Sequence, residues 1–449
     1  MSDLFDYLEW RGDLTFDKDP FHDLDALILS QISYFSVEHI MREDESLTLG
    51  EIWDKLKDGD LSSRFTEKTD RRFLEALSLS DRYKDLTVTN LVHKLDENLE
   101  MQFTALTVLL PDGTPYLSYR GTDISMVGWK EDLALAYSDI IPGQRMAVEY
   151  LKLMAAAYQK PLYLGGHSKG GNLALYSATV CPEEIQNLIK GVYVYDGPGL
   201  TEELFHSDSY ARIKDRVHAV LPDQSMVGVL LMHPEEYTVV KSSKSTGVTQ
   251  HNPLTWQVLG THFVLAEDRK KDSRYVETVT RKWVEENKEE DLKSFADAMF
   301  DVLHASETES IEELLQKIKK NPALLFQAYR GTDEETQKAF KTTMSAMAGT
   351  AIHEAKAEFR EATSEIKELG KAFTLQKTKK LLDLLPGKNA EDPAALEQKA
   401  DMPEDRPIPD ASFTEPDSET VSPLNTNPAD SSSDLTPTED TADSDDTNV

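Results

Sequence analysis

The chain has 449 residues, enough for roughly two or three domains with cores of their own. Its 81 Asp and Glu residues outnumber 48 Lys and Arg, and the net charge of −33 repels phosphate backbones and anionic lipid head groups, which excludes general nucleic-acid binding. The single cysteine, Cys181, excludes an intrachain disulfide and a multi-cysteine metal site and is typical of a reducing compartment.

The first residues, MSDLFDYLEW, lack the basic and apolar regions of a secretory signal. No uncharged apolar run reaches the roughly 18 residues that a membrane span needs. We therefore expect a cytoplasmic protein without a transmembrane segment.

Elements of an α/β domain are predicted over residues 1–265. Helical spacing in the first 100 residues predicts helices that lead into a sheet; its apolar positions are Leu27, Ile28, Ile32, Phe35, Leu74 and Leu77. Strand-like runs then alternate with helical ones near 143–158 and from about 170. The strand-like runs are residues 102–110, 116–120, 161–166, 191–196, 216–222 and 237–241. This alternation predicts a mostly parallel sheet flanked by helices.

Two further segments follow the predicted domain. Residues 266–386 have helical spacing, and the apolar stripe from Phe340 to Phe373 is close to a heptad, which predicts a long helix that packs on a protein partner or on a second copy of the chain. Residues 387–449 carry 3 basic and 17 acidic side chains and one aromatic residue. Such a segment buries too little apolar surface to order itself, so we expect a disordered acidic tail.

The residues at 161–178 contain the G-x-S-x-G pattern, Gly166-His167-Ser168-Lys169-Gly170, between an apolar strand and an amphipathic helix. A serine at the tip of a sharp strand-to-helix turn needs small residues two positions before and after it, and the elbow glycines Gly166 and Gly170 meet this need. Ser168 is therefore the candidate nucleophile.

A serine hydroxyl needs a base, which is oriented by an acid. Two aspartates follow the next two predicted strands, Asp196 and then Asp223. In α/β-hydrolase order the acid usually lies two strands after the nucleophile, which favours Asp223, with Asp196 as the alternative acid. His251 follows the last predicted strand, where that order places the base, and His233 is the second candidate.

Oxyanion donors are expected from the backbone N–H of Lys169 and from the loop that contains Thr122, at the end of the predicted strand 116–120. The chain has no phosphate-binding or dinucleotide-binding glycine motif and no H-E-x-x-H metal motif. We therefore expect neither a cofactor nor a metal.

The strand that ends in Arg120-Gly121-Thr122, the later Trp129, Glu131 and Asp132, and the elbow sequence GHSKGGNLA together resemble the class 3, fungal-type lipases. The resemblance is greatest to a bacterial lipase-like branch of the α/β-hydrolase superfamily without a known specific function. It covers roughly residues 25–265. It implies Ser168 as nucleophile, Thr122 as oxyanion residue, and Asp223 and His251 as triad partners.

These observations favour a serine hydrolase that cleaves a carboxylic ester, with a small acyl ester or lipid as substrate and an acyl-enzyme intermediate. The alternative is a hydrolase-like interaction scaffold that binds a protein partner through the helical region and the acidic tail.

Overall fold

The computed structural model describes residues 2–271 apart from short gaps, followed by single residues up to 297. The gaps are residues 43, 60, 62–66, 124, 136, 234–236 and 246, and the single residues are 273, 274, 277, 278, 281, 293 and 297. The predicted helical region lies mostly outside the described residues, and the predicted acidic tail lies wholly outside them. The domain boundaries, the partner role of these segments and the scaffold alternative stay predictions.

Eight strands of the described part form one sheet in chain order. They are β1 (Ser46–Thr48), β2 (Thr87–Asp96), β3 (Met101–Leu109), β4 (Pro115–Tyr119), β5 (Leu162–His167), β6 (Ile189–Tyr195), β7 (Val217–Pro222) and β8 (Thr238–Val240). The pairings from β1 to β4 are antiparallel, and the four from β4 to β8 are parallel. A short antiparallel hairpin of β9 (Val258–Leu259) and β10 (His262–Phe263) follows.

Helices cover both faces of this sheet. They are α1 (Leu4–Arg11), α2 (Asp23–Ile32), α3 (Leu49–Leu56), α4 (Glu67–Leu79), α5 (Met126–Ala134), α6 (Pro142–Tyr158), α7 (Lys169–Val180), α8 (Glu183–Gln186), α9 (Glu202–Phe205), α10 (Asp208–Ala211) and α11 (Gly247–Gln250). Three short 3-10 turns occur at Val37–His39, Lys214–Arg216 and Pro253–Thr255. In the described part, no helix combines the length and the apolar character that crossing a membrane requires.

The two faces of the sheet carry separate apolar cores, as the alternation of side chains along a strand requires. On β6, Tyr193 and Tyr195 pack with α1 to α4, whereas Val192 and Val194 pack with α6 and α7. The predicted architecture, a mostly parallel sheet between helices, is confirmed.

The antiparallel edge of the sheet differs from the prediction for the first 100 residues, which contained helices only. The predicted helices are present as α2 and α4, but β1 and β2 lie among them. The pairing of β2 with β3 shifts register between Thr89 and Val92, and Asn90 there has a φ of 51°. This bulge interrupts the alternation of apolar and polar residues that identifies a strand in a sequence.

Candidate active site

Ser168 lies between β5 and α7 with φ 59° and ψ −134°, a backbone conformation that is strained for a residue with a side chain. Both elbow glycines are required by close backbone approach. A Cβ on Gly166 would lie 2.3 Å from the carbonyl carbon of Gly170, and one on Gly170 would lie 2.1 Å from the carbonyl oxygen of Tyr119. The sharp turn lifts the Ser168 side chain to the carboxyl end of the sheet.

The structure brings Ser168, His251 and Asp196 together. The Nε2 atom of His251 lies 3.0 Å from Ser168 Oγ, and its Nδ1 atom lies 2.6 Å from Asp196 Oδ2. Because a carboxylate only accepts, Nδ1 carries the proton and Nε2 is left free to accept the serine proton. This tautomer is the one that a general base needs.

Asp196 is close to the serine because of the register between β5 and β6. His167 and Tyr195 are partners in this parallel pair, so the residues that follow them, Ser168 and Asp196, leave neighbouring strands at the same level. The backbone N–H of Ser168 also donates to the carbonyl of Tyr195 at 3.0 Å. Neighbouring strand ends therefore carry the candidate nucleophile and the alternative acid.

The carboxylate of Asp196 is fully buried, and its second oxygen, Oδ1, is held by two donors. They are the hydroxyl of Ser225 and the backbone N–H of Gly228, the latter at 3.1 Å. Both residues lie in the loop after β7. No sequence signal distinguished them from other small loop residues.

The predicted acid, Asp223, does not contact His251, so this assignment is corrected to the alternative, Asp196. Asp223 follows the end of β7, one strand farther from the nucleophile than β6. Its Oδ2 atom lies 3.2 Å from Nζ of Lys270, and its backbone carbonyl accepts from the Lys270 N–H at 2.7 Å. Asp223 therefore anchors the chain after β10. The loop that follows it contains Ser225, whose hydroxyl donates to Asp196.

His251 is held in place by contacts of its own backbone and of its neighbour. The carbonyl of Gln250 accepts from the indole N–H of the buried Trp256 at 2.8 Å. The carbonyl of His251 accepts from Nε2 of His167 at 2.7 Å, and Nδ1 of His167 lies 3.1 Å from the hydroxyl of Tyr34. His167 thus holds the loop of the candidate base, a role that no pattern in the sequence indicates.

His233, the second candidate base, has a different environment. Its Nε2–H donates to the carbonyl of Leu230 at 3.0 Å. Burial lowers the pKa of His233 to about 4, so the ring is neutral in the folded protein. Its contacts are those of a structural histidine.

The His233 pKa predicts how folding stability depends on pH. The unfolded state binds the proton with the ordinary pKa of 6.5, so the stabilisation by neutral His233 is complete above pH 6.5 and is lost as the pH falls through 4. We expect His233→Gln, which keeps a donor, to remove up to roughly 3 kcal/mol of this acid destabilisation. Urea unfolding of wild type and variant at several pH values between 7 and 4 measures how much unfolding free energy each protein loses. The exposed His206→Gln should retain the wild-type slope; a wild-type slope in His233→Gln would contradict the prediction.

The predicted oxyanion residues border the nucleophile. Lys169 is the first residue of α7, so its backbone N–H has no acceptor within the helix. A Cβ on Gly121 would lie 2.6 Å from the carbonyl oxygen of His167 and 3.2 Å from Ser168 Cβ, which places the loop of Thr122 directly against the elbow. The loop of Thr122 and the start of α7 therefore both border Ser168.

The hydroxyl of Thr122 donates to the carboxylate of Asp132 on α5. Burial raises the pKa of Asp132 to about 6, and the nearby ammonium of Lys169 opposes this rise. Arg120, the charged residue of the Arg120-Gly121-Thr122 motif, is buried, and its guanidinium donates to Glu38 at 2.9 and 2.8 Å. Arg120 therefore holds the end of β4, and the hydroxyl of Thr122 is held by α5.

A family model described as Mbeg1-like matches residues 77–301, just over half of the chain, a range that includes Thr122, Ser168, Asp196 and His251. None of the curated proteins compared with the chain is similar to it. A solved structure described as the crystal structure of M37 lipase is similar, with 14% sequence identity, a TM-score of 0.32, and coverage of 46% of this chain and 70% of that chain.

Proposed function

Because the chain belongs to the Mbeg1-like family, which is lipase-like, we propose that it is a serine hydrolase that cleaves carboxylic esters. The observation that carries the proposal is the pair of hydrogen bonds that His251 makes, to Ser168 Oγ at 3.0 Å and to Asp196 Oδ2 at 2.6 Å. The family and the fold suggest a hydrolase; the triad supports the finer assignment. The cytoplasmic location stays a prediction from the cysteine content.

The proposed reaction has two steps. Ser168 Oγ attacks the ester carbonyl while its proton moves to His251 Nε2, and the Asp196 carboxylate stabilises the imidazolium that forms. The backbone N–H of Lys169 and a donor from Thr122 stabilise the negative charge on the carbonyl oxygen. His251 then protonates the leaving alcohol, and an acyl-enzyme remains. Water, deprotonated by the same His251, releases the acid and regenerates Ser168.

The substrate class is proposed from the family together with this chemistry. The proposed substrates are small acyl esters or lipid esters, because the family is lipase-like and His251 can protonate an alkoxide leaving group. The net charge of the chain, −33, opposes anionic head groups. We therefore propose neutral esters as the first compounds to test.

Labelling with a fluorophosphonate probe tests the proposed nucleophile. We expect the full-length chain to take up one probe, which peptide mass spectrometry should find on Ser168, because the probe phosphonylates only an activated serine. Ser168→Ala should remain unlabelled. Ser177→Ala provides a matched control, since Ser177 is a buried serine of α7, the helix that follows Ser168, and its hydroxyl donates to the carbonyl of Ala174. An unlabelled wild-type chain would contradict the proposal.

A further inference from the structure

The side chain of Lys169, the residue after the proposed nucleophile, is buried together with its charge. Its Nζ atom lies 2.8 Å from Glu131 Oε2, 2.8 Å from Gln102 Oε1 and 3.2 Å from the carbonyl oxygen of Gln102. The side chains of Lys169 and Glu131 are both 0% exposed. All three ammonium protons therefore have acceptors inside the protein.

Glu131, on α5, connects this ammonium of α7 to two further elements, β3 and α6. Its Oε2 atom accepts from the backbone N–H of Gln102 on β3 at 3.1 Å, and its Oε1 atom accepts from the N–H of Gly143 in the first turn of α6 at 2.7 Å. A single carboxylate on α5 thus joins β3, α6 and the start of α7. Helix α5 is tied to the elbow by a buried charge.

Asp132, the next residue on α5, connects the same ammonium to Thr122. Its Oδ2 atom accepts from the Thr122 hydroxyl, and its Oδ1 atom lies 4.0 Å from Nζ of Lys169. This Oδ1 atom is buried and has no hydrogen-bond partner among the described residues. The Lys169 ammonium is therefore the nearby positive charge that favours ionised Asp132.

Stability alone does not account for this arrangement. Removing two charges from water is costly, and a well-packed apolar pair of similar volume is often as stable as a buried ion pair or more so. What charged hydrogen bonds add is a fixed geometry at both ends of the network. Those ends are the backbone of Lys169 and the loop of Thr122.

We propose that Lys169 is a positioning residue whose buried ammonium, acting through Glu131 and Asp132, fixes both oxyanion donors around the reacting carbonyl. This inference rests on the proposed function. The donors must point at an oxygen that becomes charged in the transition state, so their alignment affects kcat more than KM. Loss of the ammonium should accordingly slow the chemical step in a protein that still folds and binds ester.

The network also predicts a change in pH dependence. The charged groups that face Asp132 are Lys169 on α7, Glu131 on α5 and His251 after α11. The Lys169 ammonium lowers the pKa of Asp132 by more than Glu131 raises it. Without Lys169 and Glu131, Asp132 should hold its proton to higher pH, and a protonated Asp132 is a weaker acceptor for Thr122. The acid limb of kcat should therefore move to higher pH.

The test uses the double variant Lys169→Met, Glu131→Gln, which removes both charges and leaves neither one buried alone. We expect it to melt within a few degrees of wild type, to lose roughly 10²-fold in kcat on p-nitrophenyl butyrate with nearly unchanged KM, and to show the shifted acid limb. Lys130→Met is the matched control. Lys130 also lies on α5 and pairs with Glu100 at 2.7 Å and Asp297 at 2.9 Å, but it has no contact with the network.

Two outcomes separate this inference from the proposed function. A folded double variant with wild-type kcat and an unmoved acid limb would overturn the positioning role and leave the hydrolase standing. A wild-type chain with neither ester hydrolysis nor fluorophosphonate labelling would overturn the hydrolase, and the positioning role with it. If the double variant does not fold, Lys169→Gln, Glu131→Gln serves, because it also removes both charges and the amide N–H groups that replace the ammonium can still donate to Gln102. A wild-type kcat in that variant would equally overturn the inference.

Discussion

Replacing Ser168 by alanine is expected to lower kcat for p-nitrophenyl butyrate by about 10⁴ to 10⁶. The variant lacks the Oγ atom that lies 3.0 Å from His251 Nε2, so no acyl-enzyme forms and only the oxyanion donors and binding remain. Initial rates of purified full-length wild type and variant, measured side by side at pH 8, give the ratio. Thermal unfolding of both proteins shows whether the loss is catalytic.

Ser168→Ala should lose activity without losing stability. Alanine relieves none of the strain at φ 59°, so the variant should melt close to wild type. Ser177→Ala, on α7, should retain full activity. A Ser168→Ala variant that kept more than a few per cent of the wild-type rate would place the nucleophile elsewhere.

Much of the sheet was predictable because its strands are buried on both faces. The runs at 102–110 and 191–196 are nearly continuous in apolar and aromatic residues, and they correspond to β3 (Met101–Leu109) and β6 (Ile189–Tyr195). At the antiparallel edge the signal weakens, because β1 has three residues and β2 contains a bulge. Local pattern alone therefore predicts the centre of the sheet better than its edge.

Within the candidate site, too, some residues are predictable from local sequence and others are not. Gly166, Ser168 and Gly170 are consecutive parts of one turn, so a local motif suffices to predict them. The position of the acid depends instead on the register between β5 and β6, which the sequence of neither strand contains. Asp196 also lies in an Asp-Gly-Pro-Gly sequence that is typical of a turn, and its φ of 45° is consistent with that use. Asp196 thus takes part in the turn and also accepts the hydrogen bond from His251.

Contacts that support the site are the hardest to predict. His167 holds the carbonyl of His251, 84 residues later, and Lys169 pairs with Glu131, 38 residues earlier. Neither pair has a characteristic spacing, because the fold alone determines which loop meets the elbow. Such residues become visible only when the side chains around the nucleophile are located in space.

The two aspartates should differ sharply when each is replaced by asparagine. Asp196→Asn is expected to lower kcat by about 10⁴, because the amide NH₂ group in place of Oδ2 donates and cannot accept from His251 Nδ1–H. The ring then adopts the tautomer that cannot take the serine proton. Asparagine keeps the volume and one acceptor for Ser225 and Gly228, so the protein should still fold. Asp223→Asn should stay within a few-fold of wild type, since its carboxylate pairs with Lys270 and lies outside the triad.

The same ester assay and melting curves on both variants decide between the two acids. Asp223→Asn is a matched control, because both residues end parallel strands of one sheet and both lose one buried or half-buried charge. An inactive, stably folded Asp223→Asn beside an active Asp196→Asn would reverse the assignment. Equal, small losses in both would mean that His251 acts without an orienting carboxylate. The expected result requires that the 2.6 Å contact between His251 Nδ1 and Asp196 Oδ2 fixes the tautomer during turnover.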